Sequence, residues 1–272
     1  MTKSAWHSIP PAALVCAAAP AFFVLGWTWV GWLLLAAGIG IAALIERRSV
    51  ISAQPSLTRD LSLIGIGMLI VHAISLEAQL DDLSMLRFTL ALGAAVLVPY
   101  LVSRFVFRDR AIVFPWRART RWTRWQWGWL VAVLVLGWLI LPYYFITSGV
   151  YQNWPVVDTP ELIARLFVGV GAVGIWDELF FICTVFALLR RHMSALSANL
   201  LQMVVFVSFL WELGYREWGP MLTIPFALLQ GWIFLRTHSL AYVVTVHLLF
   251  DAVVFAVLVH AHNPGLLPFF LV

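Results

Sequence analysis

Long apolar runs recur along the whole chain, separated only by short polar joints, and no other feature constrains its fold as strongly. A run of about 20 apolar residues is long enough to cross the roughly 30 Å hydrocarbon core of a bilayer as a helix. With 62% hydrophobic and 11% charged residues, the chain carries more apolar surface than a soluble core of this size buries. The sequence therefore predicts an all-α fold, a polytopic transmembrane helical bundle of eight or nine spans. We read residues 1–272 as a single membrane domain.

Spans are expected near 11–26, 29–45, 62–79, 84–106, 126–147, 163–189, 194–214, 220–235 and 239–260. The least settled part is the beginning, where Gly26-Trp27-Thr28-Trp29-Val30-Gly31 fits either a tight turn between two short helices or part of one tilted helix. Lys3 ahead of the Ala-rich stretch Ala12 to Ala19 has the outline of a signal peptide. The apolar run continues beyond a signal core, so we read it as a span.

Orientation follows from the arginines. Arg47, Arg48 and Arg59, the stretch from Arg104 to Arg124, Arg190 with Arg191, and Arg236 fall on one side of a nine-span chain, which should be the cytoplasmic side. The opposite joints hold Glu77, Asp81 and Asp82, then Asp158, Glu161 and Arg165, then Arg216 and Glu217, and are acidic or balanced. The N-terminus is then cytoplasmic, as expected of a multi-pass protein of a bacterial inner membrane. Lys3 is the only lysine, and the arginines gather beside apolar segments rather than in a nucleic-acid-binding domain, so nucleic acid is not an expected partner. Arginines from Arg108 to Arg124 alternate with Trp116, Trp122 and Trp125, a pattern suited to an interfacial segment that meets anionic lipid. Cys16 and Cys183 both lie inside apolar segments and build no disulfide framework.

Ionisable groups at bilayer depth cost several kcal/mol unless they face a protein interior or a water-filled cavity, so they mark candidate sites. Asp177 lies 13 residues from Arg190, about 20 Å along a helix. Asp251 lies 12 residues from Ser239, about 18 Å, and His247 about 12 Å. The two groups can therefore meet. His247 and Asp251 share a face one turn apart, while the adjacent Asp177 and Glu178 diverge by about 100°, so one should enter a common cavity directly and the other obliquely. Glu212 stands higher, about 27 Å above Ser194, and Arg216 one turn later offers it an interfacial partner. His72, His260 and His262 are read as packing or interfacial residues.

The order of these residues, an acid pair followed by an apolar helix and then Leu235-Arg236-Thr237-His238-Ser239-Leu240-Ala241 leading into His247-x-x-x-Asp251, resembles the CPBP family of intramembrane proteases. That family includes the type II CAAX prenyl proteases and bacteriocin-processing members. The resemblance covers about residues 165–260 and marks 161–262 as the catalytic core, with 1–160 as N-terminal spans and a basic loop. The family's motifs are Glu-Glu-x-x-x-Arg, Phe-x-x-x-His and His-x-x-x-Asn or Asp. Here the first reads Asp177-Glu178-Leu179-Phe180-Phe181-Ile182, with isoleucine in place of arginine. In the second, Phe206 leads to Leu210 and Phe209 to Leu213, with no histidine; the third is intact.

The resemblance implies hydrolysis of a peptide bond at membrane depth by a carboxylate-activated water, without a cofactor. Asp177 would be the base, Glu178 its neighbour, and neutral His247 a hydrogen-bond donor to the oxyanion. Asp251 would orient His247, and Glu212 would stand in for the missing histidine. The partner would be a peptide or membrane-protein substrate. Three alternatives stay open: a divalent metal held by Asp177, Glu178 and His247; a non-catalytic scaffold or accessory subunit of the same fold; and a proton-coupled transporter, although the two halves show no internal repeat.

Overall fold

The structure is a computed structural model that describes residues 3–48, 55–117, 121–270 and 272. Among the described residues it is all helical. Helices α1 (Lys3–Phe23), α2 (Thr28–Arg48), α3 (Leu57–His72) and α4 (Asp82–Leu101) form the N-terminal part, with a π-helical turn over Val102–Val106 ending α4. Next come α5 (Arg124–Pro142) and α6 (Pro160–Asp177), and α6 runs on through a π-helical segment, Glu178–Phe186, into α7 (Ala187–Arg190). Helices α8 (Ala195–Leu213), α9 (Pro220–Thr237) and α10 (Leu240–His262) complete the bundle. Six of these rods, including the continuous Pro160–Arg190, are long and apolar enough to cross a membrane. The protein is a multi-pass membrane protein, and side chains such as Trp29, Leu83 and Trp125 present bare apolar surface outward.

Short polar residues set the helix starts. Thr123 and Gln126 form a reciprocal capping box at α5, Thr159 caps α6 ahead of Pro160, and Ser194 and Ser239 cap α8 and α10. Gly26, at φ 65°, turns the chain between α1 and α2, so the opening region is two helices. The third span departs from expectation, occupying Leu57–His72 rather than 62–79. Ser56 starts it early by accepting the Arg59 N–H, while Glu46 of α2 accepts from the Ser56 hydroxyl and the Thr58 N–H. The apolar residues after His72 then form an irregular segment along the bundle rather than more helix.

Ion pairs mark two ends of the bundle, an arginine face and an opposite face. On the arginine face Arg191 pairs with Asp60 at 2.9 Å and Asp109 at 2.6 Å, and His192 lies 2.7 Å from Asp60. The Leu240 N–H donates to Pro115 O, tying the basic stretch to the start of α10. The described part of that stretch after Arg108 is irregular; Arg119 lies outside the described residues. On the opposite face Arg165 pairs with Asp82 at 2.5 Å and Glu161 at 2.9 Å. Arg87 and Arg216 join Arg165 there among more numerous acids. Between the faces, Trp176 stacks on Phe180, and Phe181 packs edge-on against Phe206.

Candidate active site

Asp177 ends the regular part of α6, and Glu178 opens the π-helical segment. A π turn uses i→i+5 hydrogen bonds and often occurs where a helix serves a functional site. Both carboxylates reach the same imidazole. His247 Nδ1 lies 2.7 Å from Glu178 Oε1, and its Nε2 lies 3.5 Å from Asp177 Oδ2. Asp251, one turn on in α10, stands 3.8 Å from Nε2. All four are buried, at 2% exposure for Asp177, 1% for Glu178, 4% for His247 and 6% for Asp251. Of the two adjacent acids Asp177 lines the cavity and Glu178 does not, and the imidazole is bracketed on both nitrogens.

Two further residues, not singled out by the sequence, build the site. Gln230 of α9 donates its amide to Glu178 Oε1 at 2.6 Å and to Val243 O at 3.3 Å. Gly174, one turn before Glu178, has no room for a side chain, because a Cβ there would stand 1.9 Å from Asp251 Oδ2. The available signals were a glutamine inside an otherwise apolar span and a glycine one turn from the acid pair. Phe226 sets its ring edge-on to His247 at 5.0 Å, fixing the imidazole plane from α9.

With Glu178 Oε1 accepting from Gln230 and from His247, the ring proton is assigned to Nδ1. A neutral ring then offers Nε2 as an acceptor beside Asp177. Asp177 Oδ1 and Asp251 Oδ2 are buried and have no hydrogen-bond partner among the described residues. Both residues line a cavity of about 300 Å³. Its walls are otherwise largely apolar, with the buried phenol of Tyr215 among them, and Asp251 and Asp177 are that phenol's charged neighbours. Leu210, which holds the histidine position of the second family motif when Phe206 is its phenylalanine, also lines it.

Glu212 is not brought to this cluster. Its charged neighbours are Arg216 and Glu77, toward the face opposite the arginines. Ile182 is buried in the hydrophobic core. Among the described residues no three His, Cys, Asp or Glu side chains are arranged to hold a metal ion. His72 stacks on Phe22 at 4.3 Å, and His260 and His262 meet backbone carbonyls, so these three are packing and end residues. Cys16 and Cys183 are free and buried.

No curated protein and no solved structure matches the chain. A family model does: residues 159–253 match the description "type II CAAX prenyl endopeptidase Rce1-like". The matched stretch contains Asp177, Glu178, Gln230, His247 and Asp251 and runs from the cap of α6 into α10. Over this region the chain is similar to the type II CAAX prenyl endopeptidase Rce1-like family, which lies within the CPBP intramembrane proteases.

Proposed function

We propose that the protein is an intramembrane endopeptidase that hydrolyses a peptide bond at membrane depth with a water activated by Asp177 and His247, without a metal. The observation that carries this is the pairing of Asp177 Oδ1 and Asp251 Oδ2, buried and without hydrogen-bond partners among the described residues, with a cavity that both residues line. Satisfied buried polar groups would suffice for structural glue between helices, whereas unsatisfied carboxylates at such depth are costly and point to a working site.

In this reading, water seated beside Asp177 and His247 Nε2 loses a proton to that pair while its oxygen bonds to the substrate carbonyl carbon. The tetrahedral intermediate then collapses: the carbon–nitrogen bond breaks and the same proton passes to the departing amine. Glu178, through Nδ1–H, and Gln230, through Glu178, hold the imidazole in register. The phenol of Tyr215 supplies a donor of the kind a developing oxyanion requires. The bundle sits in a bacterial inner membrane with its arginine face cytoplasmic, and the 108–124 stretch rests on anionic lipid there.

A non-catalytic scaffold is the second reading, favoured by Ile182 at the motif arginine and by the absence of histidine from α8. The deciding experiment is proteoliposome turnover of a quenched fluorescent peptide library, lipidated and unlipidated, by the parent and by Asp177→Ala. Turnover abolished by that substitution supports the enzyme. Identical signals from the two proteins would leave the scaffold.

A further inference from the structure

The cavity is one-sided. On α6 its wall runs from Leu166 to Leu179, on α4 from Met85 to Gly93, and on α10 it begins at His247 and continues to Asp251. These stretches lie almost wholly between His247 and the face opposite the arginines. Toward the arginine face the site is closed by buried side chains, among them Phe181, Phe186, Val243 and Val246.

The same cavity has a sideways opening. Thr89 and Gly93 of α4 and Val168 and Ala172 of α6 line it and are also exposed on the outer surface of the bundle. A Cβ added at Gly93 or Gly169 would meet nothing within 4 Å. Two polar struts frame this gap. At the outer end Arg165 bonds Leu80 O at 3.0 Å and pairs with Asp82, and at the deep end the Trp176 indole donates to Leu92 O at 2.6 Å. Between the struts α4 spans residues 82 to 92, a window about 15 Å tall at 1.5 Å per residue. That is half of a hydrocarbon core about 30 Å thick.

We propose that the site takes its substrate sideways from the leaflet opposite the arginine face, as an extended apolar polypeptide segment that has already crossed to that side. A window one leaflet tall with apolar walls admits such a segment without exposing its side chains to water. The unpartnered carboxylates wait at its deep end, where backbone must leave helical structure to be cut. The word substrate rests on the peptidase reading above; the direction of access stands apart from it.

Two measurements test this. Thr89→Cys and Gly169→Cys, with Trp116→Cys as an arginine-face reference, are exposed to an impermeant thiol reagent in right-side-out and inside-out membrane vesicles. The buried Cys16 and Cys183 serve as the unreactive background. We expect Thr89→Cys and Gly169→Cys to label from the face opposite to Trp116→Cys. Labelling of all three from one face overturns the proposal, as does failure of both window positions to react even with a membrane-soluble maleimide in intact vesicles, whereas protection from the impermeant reagent with reaction to the membrane-soluble one supports a lipid-facing window. Separately, quenched apolar peptides are presented to proteoliposomes of known orientation. Cleavage confined to the arginine face defeats the access proposal and leaves the peptidase. Opposite-face labelling without cleavage from either side leaves the access and defeats the peptidase.

Discussion

Gln230 donates its side-chain amide to Glu178 Oε1 at 2.6 Å, so the motif glutamate of the α6 rod is held from α9. The arginine that the family places one turn after this glutamate is isoleucine here, and a neutral amide from another helix occupies the donor role. Gln230 acts through Glu178 and His247 and is a positioning residue. Gln230→Leu should lower kcat about 10- to 100-fold, by analogy with the outer partners that orient metal-bound histidines. KM should change little, and the pH profile of kcat should shift, which a purely structural defect would not cause. An unaltered pH profile with kcat and stability falling together would count against the role.

Gly174 and Asp251 are a second such pair. Gly174→Ala places a methyl where Asp251 Oδ2 stands, 1.9 Å away, so the carboxylate and then His247 must move. Activity should be lost, since displacement of reacting groups by about 1 Å already costs roughly 100-fold. Gly171→Ala is the comparison, because its methyl meets only Leu248 at 3.9 Å. In a helix that substitution stabilises by about 0.5–1 kcal/mol, so it should be neutral or raise the melting temperature in detergent. Equal loss in both variants would show that α6 tolerates no added methyl anywhere, independent of the site.

The sequence made most of the architecture legible because apolar length and arginine position are local quantities. That the α6 acids lie at the depth of His247 and Asp251 was legible for the same reason, since depth along a helix can be counted. Three parts were not. The start of α3 depended on Glu46, a side chain of another helix, receiving Ser56 and Thr58. The meeting of both acids on one imidazole depended on where α10 sets His247 against the α6 rod, which no count along one helix gives. Gln230 and Gly174 act only across helix–helix contacts, and a single sequence does not say which helices touch.

Asp177 and Glu212 should separate cleanly in kinetics. Asp177→Ala removes the proposed base and His247→Ala the acceptor beside it, and each should cost about 100-fold or more in turnover. Glu212→Gln should cost far less, because Glu212 has Arg216 and Glu77 rather than the cluster as its charged neighbours. A parent-like rate for His247→Ala would show that the third motif is structural. A collapse for Glu212→Gln at unchanged stability would place a proton path along α8 that this arrangement does not contain.

Chelation addresses the ligand set. Glu178 and Gln230 already engage His247 Nδ1 and Glu178 Oε1, and the three acids do not close around a common point with the ring. Dialysis against EDTA should leave peptide turnover unchanged, and added zinc should not raise it. Loss on dialysis with recovery on addition of one divalent ion would replace the proposed mechanism with a metal-activated water.

Ile182 tests whether this site is rebuilt or merely eroded. It sits where the family carries arginine, on the same rod as Glu178 and one turn further on, and it is 3% exposed within the hydrophobic core. Gln230 and His247 already engage Glu178 Oε1, so Ile182→Arg would bring a cation to a carboxylate with only Oε2 unengaged, among packed apolar side chains. Leaving a charge buried without its full set of partners costs about 3–5 kcal/mol. We expect a lower melting temperature in detergent and reduced peptidase rate. Pairing Ile182→Arg with Gln230→Ala removes the competing amide and frees Glu178 for the guanidinium. The double variant should then recover part of the stability that Ile182→Arg loses. Full tolerance of Ile182→Arg alone, with no peptidase activity in parent or variant, would instead describe a relic that kept the family's cavity and lost its chemistry.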